Sequence, residues 1–187
     1  MKNKKYFSLL FLLISIISFS SNQIWKIFPL YKVIMTEDIN EIKKSNINFN
    51  VYLNIKGMGV IFDNNSDISV MPKRLYKEIE RFYKDMYYNF LYFDIKSKDG
   101  YIILMLNGES KYLDPIHFIF EDIGIKIPVN ILFKEIDNQE YNYTFLVKED
   151  EEHIIFGKDL INDLEIEINE NKINIKNEDF IVKVIDD

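Results

Sequence analysis

From Asn48 to Ile55 apolar and polar residues alternate, with Phe49, Val51, Leu53 and Ile55 on one side and Asn48, Asn50, Tyr52 and Asn54 on the other. That period of two predicts a half-buried strand. Gly57 and Gly59 interrupt it. Val60-Ile61-Phe62 then reads as a short, wholly apolar strand running into the polar turn Asp63-Asn64-Asn65-Ser66-Asp67, and a second apolar stretch, Ile68 to Met71, ends at Pro72. After Pro72 the period lengthens: Leu75, Ile79, Phe82, Met86 and Phe90 recur at helical spacing, with Lys73, Arg74, Lys77, Glu78, Glu80, Arg81 and Lys84 on the other side. This predicts one amphipathic helix whose apolar stripe is core.

Beyond Asn89 short apolar runs predict strands at Ile102–Leu106, His117–Phe120, Ile123–Ile127, Ile131–Phe133, Tyr143–Val147, Ile154–Phe156, Leu164–Ile168 and Ile173–Ile175. Turn signals at Asp99-Gly100, Asn107-Gly108, Asp137-Asn138 and Asn169 to Lys172 separate them. Lys148 to Glu152 is a charged run between two of these strands and reads as a solvated loop. The fold class this implies is mostly β with one amphipathic helix, in a single domain without internal repeat or linker.

The first twenty residues stand apart from this pattern. Lys2, Lys4 and Lys5 precede an apolar run from Tyr6 to Phe19, and Ser18, Ser20 and Ser21 lead into polar sequence. This is the layout of a secretory signal peptide, residues 1–20, with the folded domain occupying 21–187. Retained uncut, the same segment would serve as a membrane anchor, although it is shorter than the ~20 residues a spanning helix needs.

Composition narrows the chemistry. The formal net charge is −7, and removal of the N-terminal segment takes away three lysines and no acid, which leaves −10. Such a balance disfavours nucleic acid and anionic lipid as partners and leaves a protein or peptide ligand. No cysteine is present, so disulfides, thiol catalysis and cysteine-based zinc sites are excluded. Alanine is absent while Ile, Asn and Lys abound, a bias that weakens propensity arguments. The two histidines, His117 and His153, lack acids at ligand spacing, so neither a metal nor another cofactor is expected. Asn64-Asn65-Ser66 and Asn142-Tyr143-Thr144 are sequons, which makes Asn64 and Asn142 candidate glycan acceptors on a secretory route.

Asp63 is the remaining candidate for chemistry. An apolar strand that delivers a carboxylate into a tight turn can hold it rigidly, as a catalytic acid requires. Asp63-Asn64-Asn65 also reads as an ordinary polar turn, and local sequence leaves both readings open.

The wider pattern resembles the C-terminal lobe of a pepsin-like aspartic peptidase. Val60-Ile61-Phe62-Asp63-Asn64-Asn65-Ser66-Asp67-Ile68-Ser69-Val70-Met71-Pro72 is similar to that family's apolar-apolar-Asp-Thr/Ser-Gly-Thr/Ser-Ser element with its following proline, and Lys73 to Phe90 falls where the lobe has a helix. Pro115 to Phe120 and Ile127-Pro128 resemble a proline-led strand and its continuation. Ile154-Ile155-Phe156-Gly157-Lys158-Asp159-Leu160-Ile161 resembles the apolar-apolar-Gly-Asp-x-Phe-Leu segment, with Ile155, Phe156 and Gly157 as a structural loop motif. The likeness runs from about Trp25 to Ile175.

The resemblance implies that Asp63 is the position of the catalytic acid. Asn64 stands where the family has a Thr or Ser that braces the catalytic loops, Asn65 where it has a glycine, and Asp67 where it has a serine, bringing a second negative charge towards Asp63. Asparagine tolerates left-handed backbone better than most residues but adds a side chain beside the acid. The family's chemistry also needs two aspartates sharing a proton, and one lobe supplies one. The reading that follows is a secreted homologue without catalytic activity, serving as a binding or structural module. The alternative is an active endopeptidase in which Asp63 activates water, assembled as a homodimer or with a separately encoded second lobe.

Overall fold

In a computed structural model of the chain, the described residues are 26–35, 41–43, 57–87, 96–98, 101–105, 113–137, 140–169 and 172–185. The predicted strand at Asn48–Ile55, the N-terminal segment and the Asn107-Gly108 turn lie outside them. In chain order the strands are β1 (Ile27–Pro29), β2 (Lys32–Met35), β3 (Glu41–Lys43), β4 (Gly59–Phe62) and β5 (Val70–Pro72), followed by helix α1 (Lys73–Tyr87). Next come β6 (Lys96–Lys98), β7 (Tyr101–Met105), β8 (Ile116–Ile119), β9 (Gly124–Ile127), α2 (Val129–Leu132), β10 (Phe133–Asp137), β11 (Glu140–Tyr143), β12 (Leu146–Lys148) and β13 (Ile154–Phe156). Helix α3 (Lys158–Asp163), β14 (Ile166–Asn169), β15 (Lys172–Ile175) and β16 (Ile181–Ile185) complete the chain. The architecture is mostly β, as the pattern predicts.

Two five-stranded sheets dominate, with orders β1-β4-β13-β5-β12 and β2-β8-β9-β16-β3, beside a four-stranded β10-β11-β7-β6 sheet and the β14-β15 hairpin. In the first sheet the sequence order is broken. β13 lies between β4 and β5, parallel to β4 in the register Val60↔Ile154, Ile61↔Ile155, Phe62↔Phe156, and meets β5 at Ile155↔Val70. Two strands that a short turn joins are thus held apart by a third from some ninety residues downstream.

Helix α1 forms where the 3.6-residue period places it. Leu75, Ile79 and Phe82 are buried, with Tyr76 and Tyr83 widening the same face. Glu78–Arg81 and Glu80–Lys84 pair along the outer face at 2.7 and 2.6 Å, each contributing a few tenths of a kcal/mol on an exposed surface (~0.3–0.5). Lys73 pairs with Glu149, and the Arg74 guanidinium donates to the Glu152 carbonyl at 3.2 Å. The charged run Lys148–Glu152, mostly exposed as expected, is thereby held against the start of α1. Among the described residues no helix is long and apolar enough to cross a membrane.

Aromatic rings fill the space between α1 and the sheets. Phe156 meets Phe62, Phe118 and Phe145 at centroid distances of 5.2, 5.6 and 6.0 Å. The chain of contacts continues through Phe145–Tyr143 at 5.6 Å to Tyr76 at 5.7 Å. Offset and edge contacts of this kind add about 0.5–1.5 kcal/mol each beyond burial.

At the end of this chain the Tyr76 hydroxyl is buried without a hydrogen-bond partner among the described residues. Burial, then the charge of Glu80, pushes its phenol far above the usual range, and burial acts likewise on Tyr143. A raised phenol pKa means that the folded chain keeps a proton the unfolded chain releases above about pH 10. The stability linked to it is therefore fully present below that pH and lost as pH rises further. Tyr76→Phe is expected to gain about 1 kcal/mol at neutral pH, because it removes an orphaned hydroxyl, and to soften alkaline unfolding. Urea unfolding at neutral pH and again above pH ~10 checks both parts; a loss at neutral pH would contradict the orphaned hydroxyl.

Three expectations are corrected. Ile131–Phe133 is not a strand: Pro128 precedes the short helix α2, and Ile131 and Leu132 amides bond back to the Pro128 carbonyl at 3.0 Å, so β10 begins only at Phe133. Tyr143–Val147 is two strands, parted where Thr144 turns away, its amide on Leu132 O at 2.9 Å and its hydroxyl on Ile131 O. Leu164 caps α3 and does not open a strand. Glu165 follows with a left-handed φ of 52°, and β14 starts at Ile166. Helices α2 and α3 thus join the single helix the period revealed.

Candidate functional site

Asp63 follows β4 at the point where the sheet ends. Its amide donates to Phe156 O of β13 at 2.9 Å, and its carbonyl accepts from Ser66 N at 3.1 Å, closing the turn. The side chain is half-buried, and its Oδ1 accepts from Asn65 N at 2.8 Å. Asn64 and Asn65 are exposed at the tip. Their backbones do not use the left-handed freedom asparagine offers: among the described non-glycine residues only Glu165 has a positive φ. Ser66 Oγ donates to Ile68 O at 2.7 Å, inside the loop.

Asp67 does not bear on Asp63 as an unanswered like charge. Lys158 Nζ lies 2.8 Å from its Oδ1, and the hydrogen bond and charge of that lysine lower the Asp67 pKa. The loop is tied a second time by Lys158 N, which donates to Ser66 O at 2.8 Å.

The strongest brace lies behind the turn, around Ser69, which is fully buried. Its amide and hydroxyl donate to the two oxygens of Asp159, at 3.1 and 2.5 Å. Gly157 N donates to the same hydroxyl at 2.9 Å, and Leu146 N to the Ser69 carbonyl at 2.9 Å. Every polar atom of Ser69 is used, the hydroxyl both as donor and acceptor. Asp159 also accepts from Leu160 N at 2.8 Å within the first turn of α3, where a carboxylate suits the positive end of the helix. Asp159→Ala is expected to cost about 2–3 kcal/mol, since the bonds lost are charge-assisted and Ser69 would be left buried without acceptors. A urea midpoint that barely moves would refute it.

The Ile155-Phe156-Gly157 motif and the Asp63-Asn64-Asn65-Ser66 element are therefore adjacent in space. Ile155 and Phe156 pair with Ile61 and Phe62, and Gly157 passes so close to Ile68 that a Cβ would lie 2.6 Å from its carbonyl carbon and oxygen. The structure adds Ser69 and Asp159 to the site. Asp159 stood in the sequence only as one member of the Ile154–Ile161 motif, with no role assigned to it. Nothing local linked it to a serine ninety residues earlier.

The other candidates lie apart. His117 is buried in β8, all of whose residues are buried. His153 precedes β13 and accepts at Nδ1 from Gly59 N at 3.2 Å. Of the two sequon asparagines, Asn64 is exposed, whereas Asn142 lies within β11, flanked by β10 and β7, with its Oδ1 buried. Among the described residues no cluster of three or more His, Asp or Glu is placed to hold a metal ion. A cleft of about 520 Å³ opens between β1, the Phe120–Ile123 turn and the tip of the β14-β15 hairpin, and does not include Asp63.

No known family model matches the chain, and no curated protein matches it. Among solved structures it is similar to the crystal structure of basic 7S globulin from soybean, with 9% identity and a TM-score of 0.46 over 73% of this chain and 34% of that one. The chain thus spans about a third of that protein's length.

Proposed function

We propose that this chain is a secreted, non-catalytic relative of one lobe of the pepsin-like aspartic peptidases, acting as a binding or structural module for a protein or peptide partner. Support for the lobe comes from the two motifs that resemble the family, Val60–Pro72 and Ile154–Ile161, which lie far apart in sequence and pack side by side through β4, β13 and the Gly157–Ile68 approach.

The observation that carries the non-catalytic part is the engagement of the acids. Asp63 turns Oδ1 onto the amide of Asn65 in its own loop, Asp67 is held by Lys158, and Asp159 is spent on Ser69. Proton sharing requires two carboxylates in contact. Among the described residues none of these acids has another as its hydrogen-bond partner.

Peptide cleavage at acidic pH tests the reading, using the purified folded chain beside Asp63→Ala with matching circular dichroism. The expected result is no cleavage by the chain above that of the variant. Cleavage that Asp63→Ala abolishes would overturn the proposal and favour an enzyme assembled from two copies, each contributing Asp63.

A further inference from the structure

We infer that His153 is an acid-sensitive tie at the entrance of β4, holding Gly59 when its imidazole is neutral and releasing it when protonated. The argument begins with the ladder. Val60 pairs with Ile154 as the first rung between β4 and β13. One residue earlier, the Gly59 amide meets the imidazole of His153 in place of a backbone carbonyl, at 3.2 Å from Nδ1. The side chain extends the parallel ladder by one rung.

Gly59 has nowhere to turn. It is buried, and a Cβ there would lie 2.4 Å from Ile27 Cγ2 and 2.9 Å from Phe28 O, so β1 closes the opposite side. An N–H buried there needs its acceptor. A neutral imidazole supplies one at Nδ1 with its proton on Nε2, whereas an imidazolium has two donors and no acceptor. Protonation therefore cancels this bond outright.

Acids crowd the sequence just before this histidine. Glu149, Asp150, Glu151 and Glu152 precede His153 on its own loop. From α1, Lys73 pairs with Glu149, and Arg74 donates to the backbone of Glu152, leaving the Glu152 carboxylate uncommitted to it. β1, β4 and β13 themselves carry no charged residue, with Lys26 flanking β1 and Asp63 at the far end of β4. A protonated ring would turn a donor towards the Gly59 N–H, whereas a neutral one accepts from it. Histidine as a residue type changes charge across about pH 5–8, which sets the range over which the tie is tested. It is independent of whether Asp63 is catalytic.

Proton–nitrogen correlation NMR of the folded full chain, titrated from about pH 7.5 to 5, tests this. The expected result is that the Gly59 amide shifts with the His153 ring and its exchange protection falls about tenfold, the equivalent of one hydrogen bond of about 1.4 kcal/mol. The Gly157 amide, bound to the Ser69 hydroxyl, should hold its protection. In His153→Gln, whose carbonyl oxygen accepts without titrating, Gly59 should stay unchanged across the range. If that variant does not fold, the shared midpoint in the unsubstituted chain still decides. Gly59 unmoved while His153 titrates, or equal loss at Gly157, would overturn the tie.

Discussion

Gly157→Ala is expected to unfold much of the molecule's stability, by about 3 kcal/mol or more, at the upper end of what overpacked positions cost. The reason is not conformational: Gly157 has φ −82° and ψ −178°, extended backbone open to any residue. Space decides. An added methyl would lie 2.6 Å from the carbonyl carbon and oxygen of Ile68 and 3.0 Å from its nitrogen. Those are backbone atoms, and they are pinned: the Ile68 carbonyl accepts from Ser66 Oγ, and the next residue is held on both sides by Asp159 and Leu146. Chemical denaturation of the purified variant checks it. A loss below about 1 kcal/mol would mean that the loop yields to the added methyl and that the close approach does not fix it.

Phe156→Ala should cost about 3–5 kcal/mol, the range for a large buried aromatic truncated to a methyl. Phe156 has no exposed surface and joins Phe62, Phe118 and Phe145, rings carried by two sheets and a connecting segment. The void would open at the junction of all three and could not collapse towards any one. Phe156→Leu, which keeps most of the volume, should cost less than half as much by equilibrium unfolding. Equal losses in the two variants would point to the ring geometry, not the cavity, as the source.

How much of this was legible beforehand differs by element. Helix α1 was visible because its apolar stripe repeats over four turns and Pro72 marks its start. β4 and β13 were visible as short apolar runs bounded by polar residues or glycine. Helix α2 was missed, and its last two residues read into a strand at Ile131–Phe133, because two of its four residues are β-branched and a single turn is too short to show a period. The interruption at Thr144-Phe145 was hidden because both residues fit a strand by type, and only the distant carbonyls of Ile131 and Leu132 draw Thr144 aside. At the candidate site the turn that carries Asp63 at the end of an apolar strand was anticipated. The Ser69–Asp159 brace was not, since it joins residues with no local relation, and neither was the pairing of Asp67 with Lys158.

The insertion of β13 between β4 and β5 also governs the order in which the chain can be completed. Until residues 154–156 have emerged, β4 lacks its parallel neighbour and β5 its antiparallel one, and the Asp63 loop has neither the Phe156 carbonyl nor the Asp159 carboxylate to rest on. Closing a segment of this length is a slow, non-local step. During synthesis, β4 and β5 are therefore open strand edges while about half of the chain is still being made, the state in which β proteins pair wrongly with neighbours. A chain stopped before Ile154 would lose the central strand of its first sheet, not merely its last fifth.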